Sequence, residues 1–147
     1  MSAAYDQDVA EVRPAADAPA REIPANLEAE QALLGAILVN NRAYDGVAEF
    51  LKPEHFADPV NGRIFAACAR AIERGEQANP ITLKRAFEKD EALQDVGGAA
   101  YLVRLAASVV TVVNAGDYGR EIRDCFIRRS LIFLGDHMAA TPSDTGA

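Results

Sequence analysis

The sequence predicts an all-α fold: a compact helical globule of about five helices, extended by a long C-terminal helix forming the first arm of a helical hairpin. Three observations point there. Apolar residues recur at helical spacing in segments separated by Gly, Pro and Asn. Alanine is abundant, whereas Val, Ile, Thr and Tyr rarely alternate with polar residues as half-buried strands require. Finally, Asp117 to Met138 is a long helical candidate with apolar residues on two sides. The expected organisation is a disordered leader over 1–23, a globule over 24–116, the long helix over 117–140 and a truncated linker or hairpin loop over 141–147.

With 147 residues the chain suits one domain large enough for a real core. Half the residues are hydrophobic, yet no apolar run approaches the ~18 residues of a membrane span, so no membrane partner is expected. The net charge is -7. Asp6, Asp8, Glu11, Asp17 and Glu22 against Arg13 and Arg21 give the leader -3 of it, leaving -4 for the remainder. That balance provides no footprint for phosphate backbones, so protein partners are favoured and little direct nucleic-acid binding is expected. Met1 to Asp6 has neither a basic nor an apolar signal region, which makes the cytoplasm the expected location. Cys68 and Cys125 lack metal or redox spacing and sit on apolar stripes as core thiols. No cofactor and no metal site is expected in this stretch.

Taken in order, the leader is rich in Ala, Asp and Pro without sustained periodicity. Asn26 is a cap for a first helix whose Glu28 and Glu30 favour the dipole. Leu27, Leu33, Leu34, Ile37 and Leu38 form its buried stripe, and Glu30 projects onto the same stripe. First-turn backbone N–H groups are the expected partners of that carboxylate; a catalytic role is the alternative. A second short helix is expected from Arg42 to Leu51, with Val47, Phe50 and Leu51 inward and Lys52-Pro53 ending it. His55, with no second ligand near it in sequence, reads as a surface or packing histidine in a loop.

Asp58-Pro59 opens a helix that turns Val60, Ile64, Cys68, Ala71 and Ile72 to one face and stops at Gly75. Thr82 is the expected cap of a further helix with Leu83, Ala86, Phe87 and Leu93 apolar, and Lys84, Arg85, Glu88, Lys89, Asp90 and Glu91 solvated. Gly97-Gly98 breaks the chain before a helix from Ala99 to Ser108 that inserts Tyr101, Leu102 and Leu105. The glycine pair is no phosphate loop, because a Walker A motif needs a Gly-Lys dipeptide and the chain has none. Val109 to Val113 reads as a short strand or an extended connector, and Asn114 caps the last helix, which finishes near Ala140 before Pro142. The turn chemistry of 141–147 implies that the chain stops inside a connection, leaving a frayed end or a missing second helix.

In the last helix Tyr118, Ile122, Cys125, Phe126, Ile132 and Phe133 share one stripe, expected against the globule. Ile127, Leu131, Leu134 and Met138 form a second on the opposite side, where Arg120, Arg123 and Asp124 stand in the first half. A helix apolar on two faces needs a second partner. The four residues are therefore candidate interface positions. Arg129, within the inward stripe, is read as a snorkelling or ion-paired side chain at the globule edge or else an interface contact. Arg128 points sideways and is the weaker candidate.

From Pro24 to Ala140 the order of these features resembles the N-terminal domain of the DnaB-type replicative DNA helicase. The marks are Pro24, Leu27-Glu28-Ala29-Glu30-Gln31, Leu34-Gly35, Phe56, Arg63-Ile64-Phe65, Ile81-Thr82-Leu83, Gly97-Gly98 with Tyr101-Leu102, and Asn114 with Tyr118, Ile122 and Arg129. Asn61 stands where that family often has His, and Val109 to Val113 replaces a proline-containing loop, departures expected to alter local surface contacts. The resemblance implies a collar domain of a ring-shaped hexamer whose arms pair as a trimer of dimers. It implies docking of DnaG-type primase and, near the linker, of a helicase loader. It also implies that ATP and magnesium belong to a RecA-like C-terminal domain outside this chain, so that this stretch is not itself an enzyme. The alternatives are the helicase-binding C-terminal domain of primase, which should end a longer chain and not follow Met1, and a helical DNA-binding module, which should bind DNA in a strongly salt-dependent way.

Overall fold

A computed structural model describes residues 23–109 and 114–140. Six α-helices lie among the described residues: α1 (Leu27–Val39), α2 (Pro59–Glu73), α3 (Pro80–Lys84), α4 (Glu91–Asp95), α5 (Ala99–Ala107) and α6 (Ala115–Ala140). Short 3-10 turns cover Asn41–Gly46, Pro53–His55 and Arg85–Phe87, and there is no strand among the described residues. The leader's first 22 positions, Thr111, its neighbours Val110, Val112 and Val113, and 141–147 lie outside the described residues.

Asn26 caps α1, its side chain accepting from the Ala29 N–H at 2.9 Å. Ala29, Leu33, Leu34, Gly35, Ala36, Ile37 and Leu38 are all buried, so α1 is enclosed on most sides and not along a single stripe. Leu27 is the exception; it is exposed because the first turn projects past the core. Around α1 are gathered α5, α6, α2 and the 3-10 turn after it. Gly35 sets the distance to α5: a Cβ there would lie 2.3 Å from the Leu105 carbonyl oxygen. Gly35→Ala would gain about 1 kcal/mol of helix propensity. The clash is with backbone, which cannot swing away, and overpacking of this kind costs about 1 to 3 kcal/mol or more. The variant is therefore expected to melt at lower temperature by circular dichroism; an equal or higher melting temperature would refute the close approach.

The segment expected as a helix from Arg42 to Leu51 is instead the 3-10 turn Asn41–Gly46 followed by a turn. The reason is Asn41, whose side chain donates to the Ile37 and Ala78 carbonyls at 2.8 Å each and accepts from the Ala78 N–H at 2.9 Å. Val47 and Leu51 are buried, as the pattern requires, and Phe50 is half-buried. Next, α2 starts as expected, with Asp58 accepting from the Val60 N–H at 2.9 Å and Pro59 at the first helical position.

Thr82 is not the cap of the following helix. Asn79 is, accepting from Ile81 and Thr82 N–H at 2.9 Å each, while Thr82 Oγ1 accepts from the Asn79 N–H at 3.0 Å. The expected single helix divides into α3, a 3-10 turn and α4 because Asp90 restarts it. Asp90 caps α4 at Leu93 N–H (3.1 Å) and pairs with Arg63 of α2 at 2.8 Å, so it is not one of a row of solvated charges. The Arg63 guanidinium and the capped N–H hold its carboxyl below the ordinary value. Ala86 is exposed, whereas Leu83, Phe87 and Leu93 are buried as expected. The helix from Ala99 is observed over Ala99–Ala107, with Tyr101, Leu102 and Leu105 buried.

Candidate functional site

The two halves of α6 have different surroundings. Asn114 accepts from the Asp117 N–H at 3.3 Å at its start. The first half is docked: Ala115, Ile122 and Cys125 are buried, and Tyr118 is half-buried. Gly119 permits this contact, since a Cβ there would meet Val47 Cγ1 at 2.5 Å. Asn26 reinforces it by donating to Glu121 at 3.2 Å. Burial raises the Cys125 thiol above its ordinary pKa, with Glu121 adding to the rise, and it raises Cys68 to about 12. Both cysteines are buried and free, in keeping with core thiols.

The last contact between globule and helix is made by Phe126 and Arg129. Arg129 is half-buried and donates to the Pro24 carbonyl at 3.0 Å and the His55 carbonyl at 2.8 Å. Its guanidinium carbon is 5.8 Å from the Phe126 ring centre, and the His55 ring is 4.7 Å from the same ring. His55 therefore packs against the helix; Nδ1 accepts from the Lys52 N–H at 3.0 Å. Burial lowers its pKa; Glu54 opposes the shift, and Arg123, Lys52 and Arg129 reinforce it.

Beyond Arg129 the globule ends and the helix continues. Ile127, Leu131, Leu134 and Met138 are 42, 62, 52 and 62% exposed. Arg128 is exposed beside them. Ile132 and Phe133, expected against the globule, are also exposed, at 40 and 73%. The inward periodicity persists, but the globule does not cover these two side chains. An open groove lies in the angle between the two, lined by Glu54, Ala57, Phe126, Ser130, Phe133 and Leu134.

Inside the globule the polar residue that attracts notice is Glu30, 1% exposed. Its carboxylate does not turn to its own helix. It accepts from the Ala57 N–H at 2.6 Å, the Asp58 N–H at 3.3 Å and Asn61 Nδ2 at 3.1 Å. Tyr101 donates its hydroxyl to Asn61 Oδ1 at 2.7 Å and accepts from Gln31 at 3.5 Å. Burial raises the Tyr101 pKa. Asn61 is thus a fully buried core residue, and the departure it represents does not lie on the surface. With its lone pairs taken by fixed donors, this carboxylate is a structural junction between α1, α2 and α5. No group of three or more His, Cys, Asp or Glu among the described residues is placed to hold a metal ion, and no helix among them is long and apolar enough to cross a membrane.

Comparison with known proteins agrees with the geometry. The family model for the DnaB-like helicase N terminal domain matches residues 22–124, ending within the docked half of α6. The chain is 44% identical over 118 residues to the replicative DNA helicase DnaB of Rickettsia conorii, covering 80% of this chain and 24% of that protein. It is 36% identical over 109 residues to the DnaB of Geobacillus stearothermophilus, covering 74% of this chain and 24% of that one. The chain thus spans about a quarter of the length of these relatives. Among solved structures, the N-terminal domain of DnaB helicase from Mycobacterium tuberculosis superposes with a TM-score of 0.76 at 30% identity, covering 83% of this chain and 88% of that one.

Proposed function

Because this chain belongs to the DnaB-like helicase N-terminal domain family, we propose that it is the amino-terminal collar of a hexameric replicative DNA helicase. In this role it is a non-enzymatic module that joins copies of itself and docks DnaG-type primase. ATP-driven unwinding, with its magnesium, belongs in this reading to the part of the relatives that this chain does not span. In the same reading a helicase loader engages the neighbouring linker.

The observation that carries the proposal is the free half of α6. Ile127, Leu131, Leu134 and Met138 occupy one side of a helix that has left its own core. Fully burying side chains of this size contributes roughly 1.5 to 3 kcal/mol each. A second copy, which brings the same stripe, is the partner best able to cover it, with Arg128 at the margin and Arg129 keeping the arm at a fixed angle.

Sedimentation equilibrium over a concentration series is the direct test, with an associated species expected; a monomer at every concentration would overturn the self-association. Immobilised chain should also retain primase from the same organism, and passage of primase unretarded would remove the docking role. DNA is expected to bind only weakly, without the steep fall with salt that several phosphate contacts produce. Tight, salt-sensitive binding would favour a DNA-binding module instead.

A further inference from the structure

His55 stands at the last place where the globule holds the arm, and three of its features bear on that contact. Its Nδ1 accepts the Lys52 N–H at 3.0 Å, which keeps the neutral ring in the form protonated at Nε2. Its ring lies 4.7 Å from that of Phe126, and its carbonyl accepts from Arg129 at 2.8 Å. The same residue therefore closes its own 3-10 turn and grips α6 at two points. The charged groups facing it are Lys52 and Glu54 from its own turn and Arg123 and Arg129 from α6, three cations against one carboxylate.

Adding a proton at Nδ1 removes the acceptor for the Lys52 N–H and sets two donors against each other. It also places a fourth positive charge among the three. We propose that His55 is an acid-released latch, whose protonation opens the Pro53–His55 turn and frees α6 from Phe126 onwards. Ile122 and Cys125 are buried in the globule one turn earlier, so release moves the pivot of the arm back from Arg129 to Cys125. At 1.5 Å per residue that lengthens the free arm by about 6 Å. Burial and the surrounding cations keep the ring neutral at neutral pH, despite Glu54. For a base whose folded pKa lies below its unfolded value of about 6.5, the latch is fully set above that value and is lost as pH falls through the lower, folded one. The proposal concerns contacts within one chain and stands whether or not arms pair between chains.

The test is a distance measurement on the full chain, with spin labels at cysteines replacing the exposed Lys89 and Asp136 and the labelled chain diluted into unlabelled chain. A narrow distribution is expected at about pH 7.5 and a broad one at about pH 5, the narrow component falling by more than half as the His55 ring protonates by NMR. His55→Asn, whose Oδ1 can accept from Lys52 but cannot titrate, should stay narrow at both. Arg123→Gln, which removes a repelling cation and keeps the histidine, should move the release to higher pH. A distribution that stays narrow once the ring is protonated would overturn the latch. So would a His55→Asn chain that broadens as the parent does, or an unchanged midpoint in Arg123→Gln.

Discussion

If arms pair as proposed, Leu131→Asp combined with Leu134→Asp is expected to shift the associated species towards monomer while leaving helix content largely unchanged. Both side chains are more than half exposed in a single chain, so the fold loses little when they become carboxylates. In a pair of arms, however, each copy would place two aspartates where leucines were sheltered, four in all. Even at the lower figure of about 1.5 kcal/mol for each lost leucine, the penalty reaches about 6 kcal/mol. At 1.4 kcal/mol per tenfold, that is an association constant weakened roughly ten-thousandfold. Sedimentation and circular dichroism together read the two halves of the expectation. An unchanged mass would mean that copies meet through some other surface.

A loss of about 3 kcal/mol in folding free energy is expected from Glu30→Ala, the largest effect of any single substitution considered. Removing the carboxylate leaves the Ala57 and Asp58 N–H groups and Asn61 Nδ2 without their acceptor at the junction of α1 and α2. An unsatisfied buried donor costs about 1 to 3 kcal/mol, and hydrogen bonds to charged groups lie at the upper end of the usual range. Water entering the small space would offset part of the loss, which is why the three contributions are not simply added. Glu30→Gln keeps the shape but turns an amide N–H towards these donors, so it is expected to rescue only part of the loss. Urea titration measures both. A Glu30→Ala protein within about 1 kcal/mol of the parent would show that the network contributes less than one ordinary buried hydrogen bond.

What could be read in advance was whatever depended on near neighbours. The Asp58-Pro59 cap, the helix over Ala99–Ala107 and the span of α6 follow from side chains acting within a turn of themselves. Where distant groups decide, near-neighbour patterns carry no signal. Asn41 bonds to Ala78, 37 positions away, and converts an expected helix into a 3-10 turn. Glu30 could be seen to project onto an apolar face, but its donors lie 27 to 31 residues further on. Residues 127, 131, 134 and 138 were recognisable as a stripe that the globule could not use, because periodicity alone reveals a second face. Periodicity does not show how much of a stripe the globule covers, and Ile132 and Phe133, which share the inward stripe, stand exposed. His55 reads as a surface or packing histidine from its loop alone; that it packs on α6 depends on Phe126 and Arg129, the latter 74 positions later.

The bond from Arg129 to the Pro24 carbonyl spans 105 positions and ties the first residues of the fold to its final helix. During synthesis, the opening segment therefore stays unanchored and one flank of α1 bare until α6 has left the ribosome. Loop closure over such a separation is slow compared with forming a helix. The first half of α6 thus completes the core, and the exposed second half leaves the ribosome only after the segment that does so.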